Sequence, residues 1–216
     1  MLEEKIIRRF SLSLTEKIQK DNINLDMMWI NEFSKELLKV TLGEDYDFPI
    51  NIDKVAEELK LQVVVTTQVK PSDTAYLHIM NKGILNPNLK ALNLLISPNA
   101  SNLERRIAVS YGLLKYLIHY CDYKFFAKYR ASHILENYTE IEDLWIEEIA
   151  YLLLMPVDLT LKETTFFLEE NPYTDEEVIH YMSIVAEIPK EKIPIIFNEI
   201  KKIQLHITKT IKVKLN

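Results

Sequence analysis

The sequence predicts an α+β domain, mostly helical, with one small three-stranded sheet. Apolar residues recur at helical spacing through most of the chain. Three short runs rich in β-branched or apolar residues cluster between residues 61 and 97. Helix-capping patterns return after them, at 101–102 and again at 174–177. A length of 216 residues suits one domain with a full core, or a smaller domain with helical additions, and a hydrophobic share of 48% argues for a folded chain.

The elements follow in order. Ile6, Ile7, Phe10, Leu14 and Ile18, then Met28, Trp29, Phe33, Leu37 and Val40, form two apolar stripes, so 3–20 and 25–40 read as a helical hairpin. The acidic, turn-rich stretch 43–49 marks the boundary between this N-terminal extension, 1–45, and a core over 46–172. A helix at 51–59 leads into a strand at 61–67, whose Val63, Val64, Val65, Thr66 and Thr67 favour extended backbone. Two more strands are expected at 74–81 and 91–97, parted by turn residues around Gly83 and Pro87. Ser101 or Asn102 caps a helix running to about Tyr120, another helix is expected at 124–136, and one starting near Thr139 ends at Met155 before Pro156. The C-terminal segment, 173–216, holds two short helices within 174–203. Residues 204–215 alternate apolar with polar or basic residues, as an edge strand does.

The formal net charge of −6 gives no general attraction to nucleic acid or anionic membrane, so direct nucleic-acid binding would need a local basic patch. The single Cys121 excludes an intramolecular disulfide framework and fits a reducing cytoplasm. No stretch approaches the roughly 18 uninterrupted apolar residues of a membrane span. The expectation is a soluble cytoplasmic protein with no membrane partner.

Residues 105–119 read Arg-Arg-Ile-Ala-Val-Ser-Tyr-Gly-Leu-Leu-Lys-Tyr-Leu-Ile-His. This is the frame of a zinc-peptidase helix, in which two histidines four residues apart bind the metal and a glutamate between them acts as general base. Tyr111, Gly112 and Lys115 stand at those positions. A second helix ends in Ile149-Ala150-Tyr151-Leu152-Leu153-Leu154-Met155-Pro156. Together these segments resemble the ImmA/IrrE family of metallo-endopeptidases. Counted back from Pro156, the family's third zinc ligand, a glutamate, falls on Trp145, while Ala150, Leu153, Leu154, Met155 and Pro156 match. Arg105 and Arg106 match the arginine before the motif, His119 falls where the family often carries a histidine, and 51–61 looks like its opening helix.

The resemblance implies a minimal zincin-like core with a degenerate HExxH motif. Its vestigial metal site is marked by Tyr111, Gly112, Lys115 and Trp145, with no catalytic residue, no metal and no cofactor. Working relatives act on helix-turn-helix repressors. A pseudo-peptidase that binds such a repressor of a phage or mobile element, as a regulatory protein partner, is therefore the expected role. Trp145 is expected to lie over Gly112 and fill the old metal cavity, with Lys115 supplying a positive charge there, neutralised by Glu147, Glu148 or the Tyr111 hydroxyl.

Two other readings remain open on the residues alone. An active peptidase with a relocated metal would draw on His119, Asp122, Glu147 and Glu148, whose chemistry suits a divalent cation. A DNA-binding regulator would use the C-terminal segment, where Lys201, Lys202, Lys209, Lys212 and Lys214 form the one basic concentration. Cys121 and His119, two apart on a helix, point away from each other and make no thiol–imidazole pair. The aromatic set Trp29, Tyr116, Tyr120, Tyr123, Phe125, Phe126 and Tyr129 reads as core packing before it reads as a base-stacking platform.

Overall fold

The computed structural model describes residues 2–21, 25–69, 74–81, 90–126, 140–170 and 174–214. The elements are α1 (Glu4–Asp21), α2 (Met27–Leu42), α3 (Ile52–Glu58), β1 (Gln62–Val65), β2 (Ala75–Asn81), β3 (Lys90–Ile96), α4 (Asn102–Phe126), α5 (Glu140–Leu154), α6 (Val157–Glu170), α7 (Asp175–Val185), a 3-10 turn (Lys190–Lys192) and α8 (Ile193–Lys214). The chain is mostly helical with a small sheet, an α+β arrangement.

Local chemistry sets the helix starts. Asp26 caps α2 through Trp29 N–H at 3.1 Å, and Asn51 caps α3 through Lys54 N–H at 3.0 Å. Ser101 with Glu104, and Thr174 with Glu177, form reciprocal capping boxes at α4 and α7. Gly43, at φ +98°, ends α2 and donates to the Lys39 carbonyl at 3.0 Å, a backbone turn that a β-carbon would strain.

The sheet order is β1-β3-β2, with β1 parallel and β2 antiparallel to β3. Asn93, Leu94, Leu95 and Ile96 are all buried, so both faces of the central strand are covered at this end. Leu94 and Ile96 enter the main core. α4 packs against β2 and β3 on one side and against α1 and α5 on another, so it is the central helix.

A single apolar core takes residues from every helix from α1 to α8. Ile7, Leu14, Ile30, Leu37 and Leu38 are completely buried, so the N-terminal hairpin packs on the same core that α4 and α5 build. Lys17 binds Asp21 and Asp26, each at 2.7 Å, and pins α1 to the start of α2, while Lys35 pairs with Asp158 across to α6.

Four expectations need correction or limits. Residues 204–214 are not an edge strand; they continue α8, because the isoleucines at 193, 196, 200 and 203 already set a helical stripe and extending a helix is cheaper than nucleating a strand. α4 does not stop near Tyr120 but runs to Phe126, and most of the helix expected at 124–136 lies outside the described residues. The turn around Gly83 and Pro87 and the start at Thr139 also lie outside them. α6 follows Pro156 at once: a proline that ends one helix sits comfortably at the start of the next, where its missing N–H costs nothing.

Candidate functional site

α4 and α5 bring together the motif positions read from the sequence, but they separate into an inner and an outer group. Trp145 is completely buried, and its ring meets Trp29 of α2 edge-on at 5.9 Å, with Trp29 stacked on Phe33 at 4.9 Å. Trp145 is therefore a core residue whose identified ring partner comes from the N-terminal hairpin. Gly112 is also buried, but the atoms nearest its missing β-carbon belong to Leu94 of β3, at 2.5, 2.7 and 3.1 Å. The glycine lets β3 approach α4, and Leu94 supplies its nearest contacts.

Tyr111 lies on the outer group. Glu147 and Tyr151, one turn apart on α5, face each other, and the Tyr151 hydroxyl donates to Glu147 Oε1 at 2.8 Å. Tyr111 approaches both from α4. Lys192 reaches over from the 3-10 turn, its Nζ 5.7 Å from the centre of the Tyr151 ring. Burial, then the neighbouring Tyr151 and Glu147, push the Tyr111 phenol well above its ordinary range. Burial also raises Tyr151, against the pull of Lys192, while the hydrogen bond to Tyr151 raises Lys192. The result is two phenols, a carboxylate and an ammonium gathered at one place, with Tyr151 donating to Glu147.

The turn that ends α7, ahead of the one that carries Lys192, is anchored to α4. Arg106, nearly buried, donates to the Ala186 carbonyl at 3.3 Å and lies 3.5 Å from Glu187, a non-glycine residue at φ +51°. Arg105 pairs with Asp53 at 2.9 Å. The two arginines thus tie the start of α4 to α3 and to the α7 turn.

Glu148, beside Glu147, faces Glu199 and Lys202 of α8. Its Oε2 is buried without a hydrogen-bond partner, and burial, then Glu199 and Glu147, push the carboxyl up to about 7. Glu199 and Lys202 pair with each other at 2.5 Å.

These donors do not fit zinc. A phenol held protonated, a glycine, a donor-only lysine side chain and an indole inside an apolar core supply no ligand. Glu147 is engaged with Tyr151, and the side chains of His119 and Asp122 lie outside the described residues. Among the described residues no group of three His, Cys, Asp or Glu is placed to hold a metal ion. No helix among them is long and apolar enough to cross a membrane.

Sequence reasoning found Tyr111 and Glu147 but missed Tyr151 and Lys192. The four-residue spacing of Glu147 and Tyr151 is a readable helix-face signal; Lys192 carries none, being brought in by tertiary structure alone. Tyr116, from the aromatic set, donates to the Leu59 carbonyl at 2.9 Å and meets Tyr120 edge-on at 5.4 Å, so both serve packing. Compared with protein-family models, curated proteins and solved structures, the chain matches none.

Proposed function

We propose that this chain is a non-catalytic pseudo-metallopeptidase of the ImmA/IrrE type, a zincin-like core used as a regulatory protein-binding module, with a helix-turn-helix repressor of a phage or mobile element as its partner. One observation carries the reading. At the position of the first metal ligand stands Tyr111, a phenol that burial and the neighbouring Tyr151 and Glu147 hold protonated, so the metal-binding motif is replaced without disrupting the helix pair that frames it.

The partner surface in this reading is the sheet edge: among the described residues β2 is last in the sheet order, and it packs against α4, the helix that carries Tyr111 and Lys115. Strand addition supplies affinity through backbone hydrogen bonds and needs no catalysis.

The test is zinc loading of the purified chain, desalting, and metal analysis by inductively coupled plasma mass spectrometry, followed by calorimetry with a helix-turn-helix repressor encoded beside it. The expected result is no retained zinc, with stoichiometric binding and an intact repressor. Near-stoichiometric retained metal, cleavage of the repressor, or no binding each overturns the proposal.

A further inference from the structure

β1 stands at one end of the sheet order, and among the described residues no strand pairs with the side turned away from β3. Thr66 N–H donates to the Ile96 carbonyl at 2.9 Å. Backbone groups alternate sides along a strand, so Gln62, Val64 and Thr66 turn theirs toward β3, while Val63 and Val65 turn theirs outward. That edge has open space beside it. A groove of about 620 Å³ runs along its start between Asp53, Lys60, Val63 and Arg105, and Val65 is 54% exposed.

An uncovered edge is a template for another chain, and folded proteins commonly guard it with lysine, proline, a bulge or an inward-pointing charge. Residues 61–68, Leu-Gln-Val-Val-Val-Thr-Thr-Gln, contain no charge, no proline and no glycine. Their valines and threonines are β-branched and favour extended pairing. This edge is therefore built to be covered.

The symmetry of the stretch selects what covers it. Gln62-Val63-Val64-Val65-Thr66 reads alike from either end, a valine at the centre, a valine on each side, and a polar side chain at each limit. An antiparallel second copy with its two-fold axis at Val64 sets Val63 opposite the second copy's Val65, and each such pair exchanges both backbone bonds. The outward-facing groups of both strands are then used. Val64 meets its own counterpart, Gln62 meets a threonine, and no like charges face each other across the pair. A two-fold contact closes on itself and stops at a dimer.

We propose that the free edge of β1 binds a second copy of this chain, as an antiparallel two-fold pair centred on Val64. The contact is short, so the dimer is weak and reversible. β2 lies at the other end of the sheet order, so the pairing uses a different edge from the peptidase-like reading and does not depend on it.

The test is sedimentation equilibrium of the full chain from the micromolar to the submillimolar range. The apparent mass is expected to rise from that of one chain toward that of two. Val65→Lys, at an exposed position, should weaken association roughly tenfold, because two cross-strand pairs are lost at once. Adding Val63→Glu to it sets opposite charges across both pairs and should restore association, with circular dichroism confirming that each variant is folded. In a Cys121→Ser background, Val64→Cys should cross-link to a dimer under mild oxidation, since residues opposed in a non-hydrogen-bonded pair lie about 4.5 Å apart, within disulfide reach. Gln68→Cys, at the far end of the stretch, should not. A chain that stays monomeric throughout, association unmoved by Val65→Lys, or a Gln68→Cys cross-link as efficient as that of Val64→Cys overturns the proposal.

Discussion

Glu148 has a carboxylate oxygen buried without a partner, and its proton is held more tightly in the folded chain than in the unfolded one. The folded carboxyl is pushed up to about 7 by burial, Glu199 and Glu147, from an ordinary value of 4.5. Its contribution is intact below 4.5, declines as pH rises, and becomes a full penalty above about 7, because the unfolded chain releases this proton first. Glu148→Gln removes the titration. Allowing for solvent screening of this partly exposed group, it should raise stability at pH 8 by roughly 1–2 kcal/mol, or about 2–8 °C in unfolding temperature, and change little at pH 4.5. Melts recorded from pH 4.5 to 8 check this; a constant difference across that range would show that the substitution acts through packing. The sequence pointed to this residue for another reason, as a candidate metal ligand. Burial of a single oxygen, and a glutamate arriving from α8, cannot be read from local spacing.

At the scale of elements, Gly112 records the meeting of a helix and a strand. A β-carbon there would stand 2.5 Å from a Leu94 methyl, so Gly112→Ala forces a buried leucine to shift. Overpacking costs about 1–3 kcal/mol, against roughly 1 kcal/mol recovered in helix propensity. Urea denaturation should therefore show a net loss of about 1 kcal/mol. In a Leu94→Ala background the same substitution should become stabilising, since the new methyl enters vacated space; an unchanged loss would place the conflict elsewhere. Apolar periodicity made α1 and α2 legible, capping residues located the starts of α4 and α7, and the family resemblance framed α3 and α5. Periodicity failed at 204–214, where alternation over a few residues mimics a strand and the governing signal lies upstream in the isoleucine stripe of α8. It passed over α6 because a proline was read only as a stop.

At the scale of the whole molecule, the N-terminal hairpin belongs to the core. Ile7, Phe10, Leu14, Ile30, Phe33, Leu37 and Leu38 are all at most 5% exposed. Each buried side chain of this kind contributes roughly 1.5–3 kcal/mol, and together they rival the 5–15 kcal/mol stability of a typical domain. A chain of residues 46–216 should therefore show no cooperative unfolding transition by circular dichroism. A sharp melt near that of the full chain would make the hairpin an accessory. The α+β class and the helical majority were legible because they rest on local pattern. That Trp145 meets Trp29 was not, since it joins residues far apart in the chain, and a motif-based reading assigned that tryptophan to a metal cavity.

The pairing of α1 with α4 has a consequence for synthesis. Thr15 donates to the Ile118 carbonyl at 3.3 Å, across a sequence separation of 103 residues. At roughly 5–20 residues per second, the ribosome leaves the apolar stripe of α1 waiting on the order of 5–20 s for the surface that will cover it. During that interval the nascent chain offers a greasy helix to any chaperone or protease near the exit tunnel.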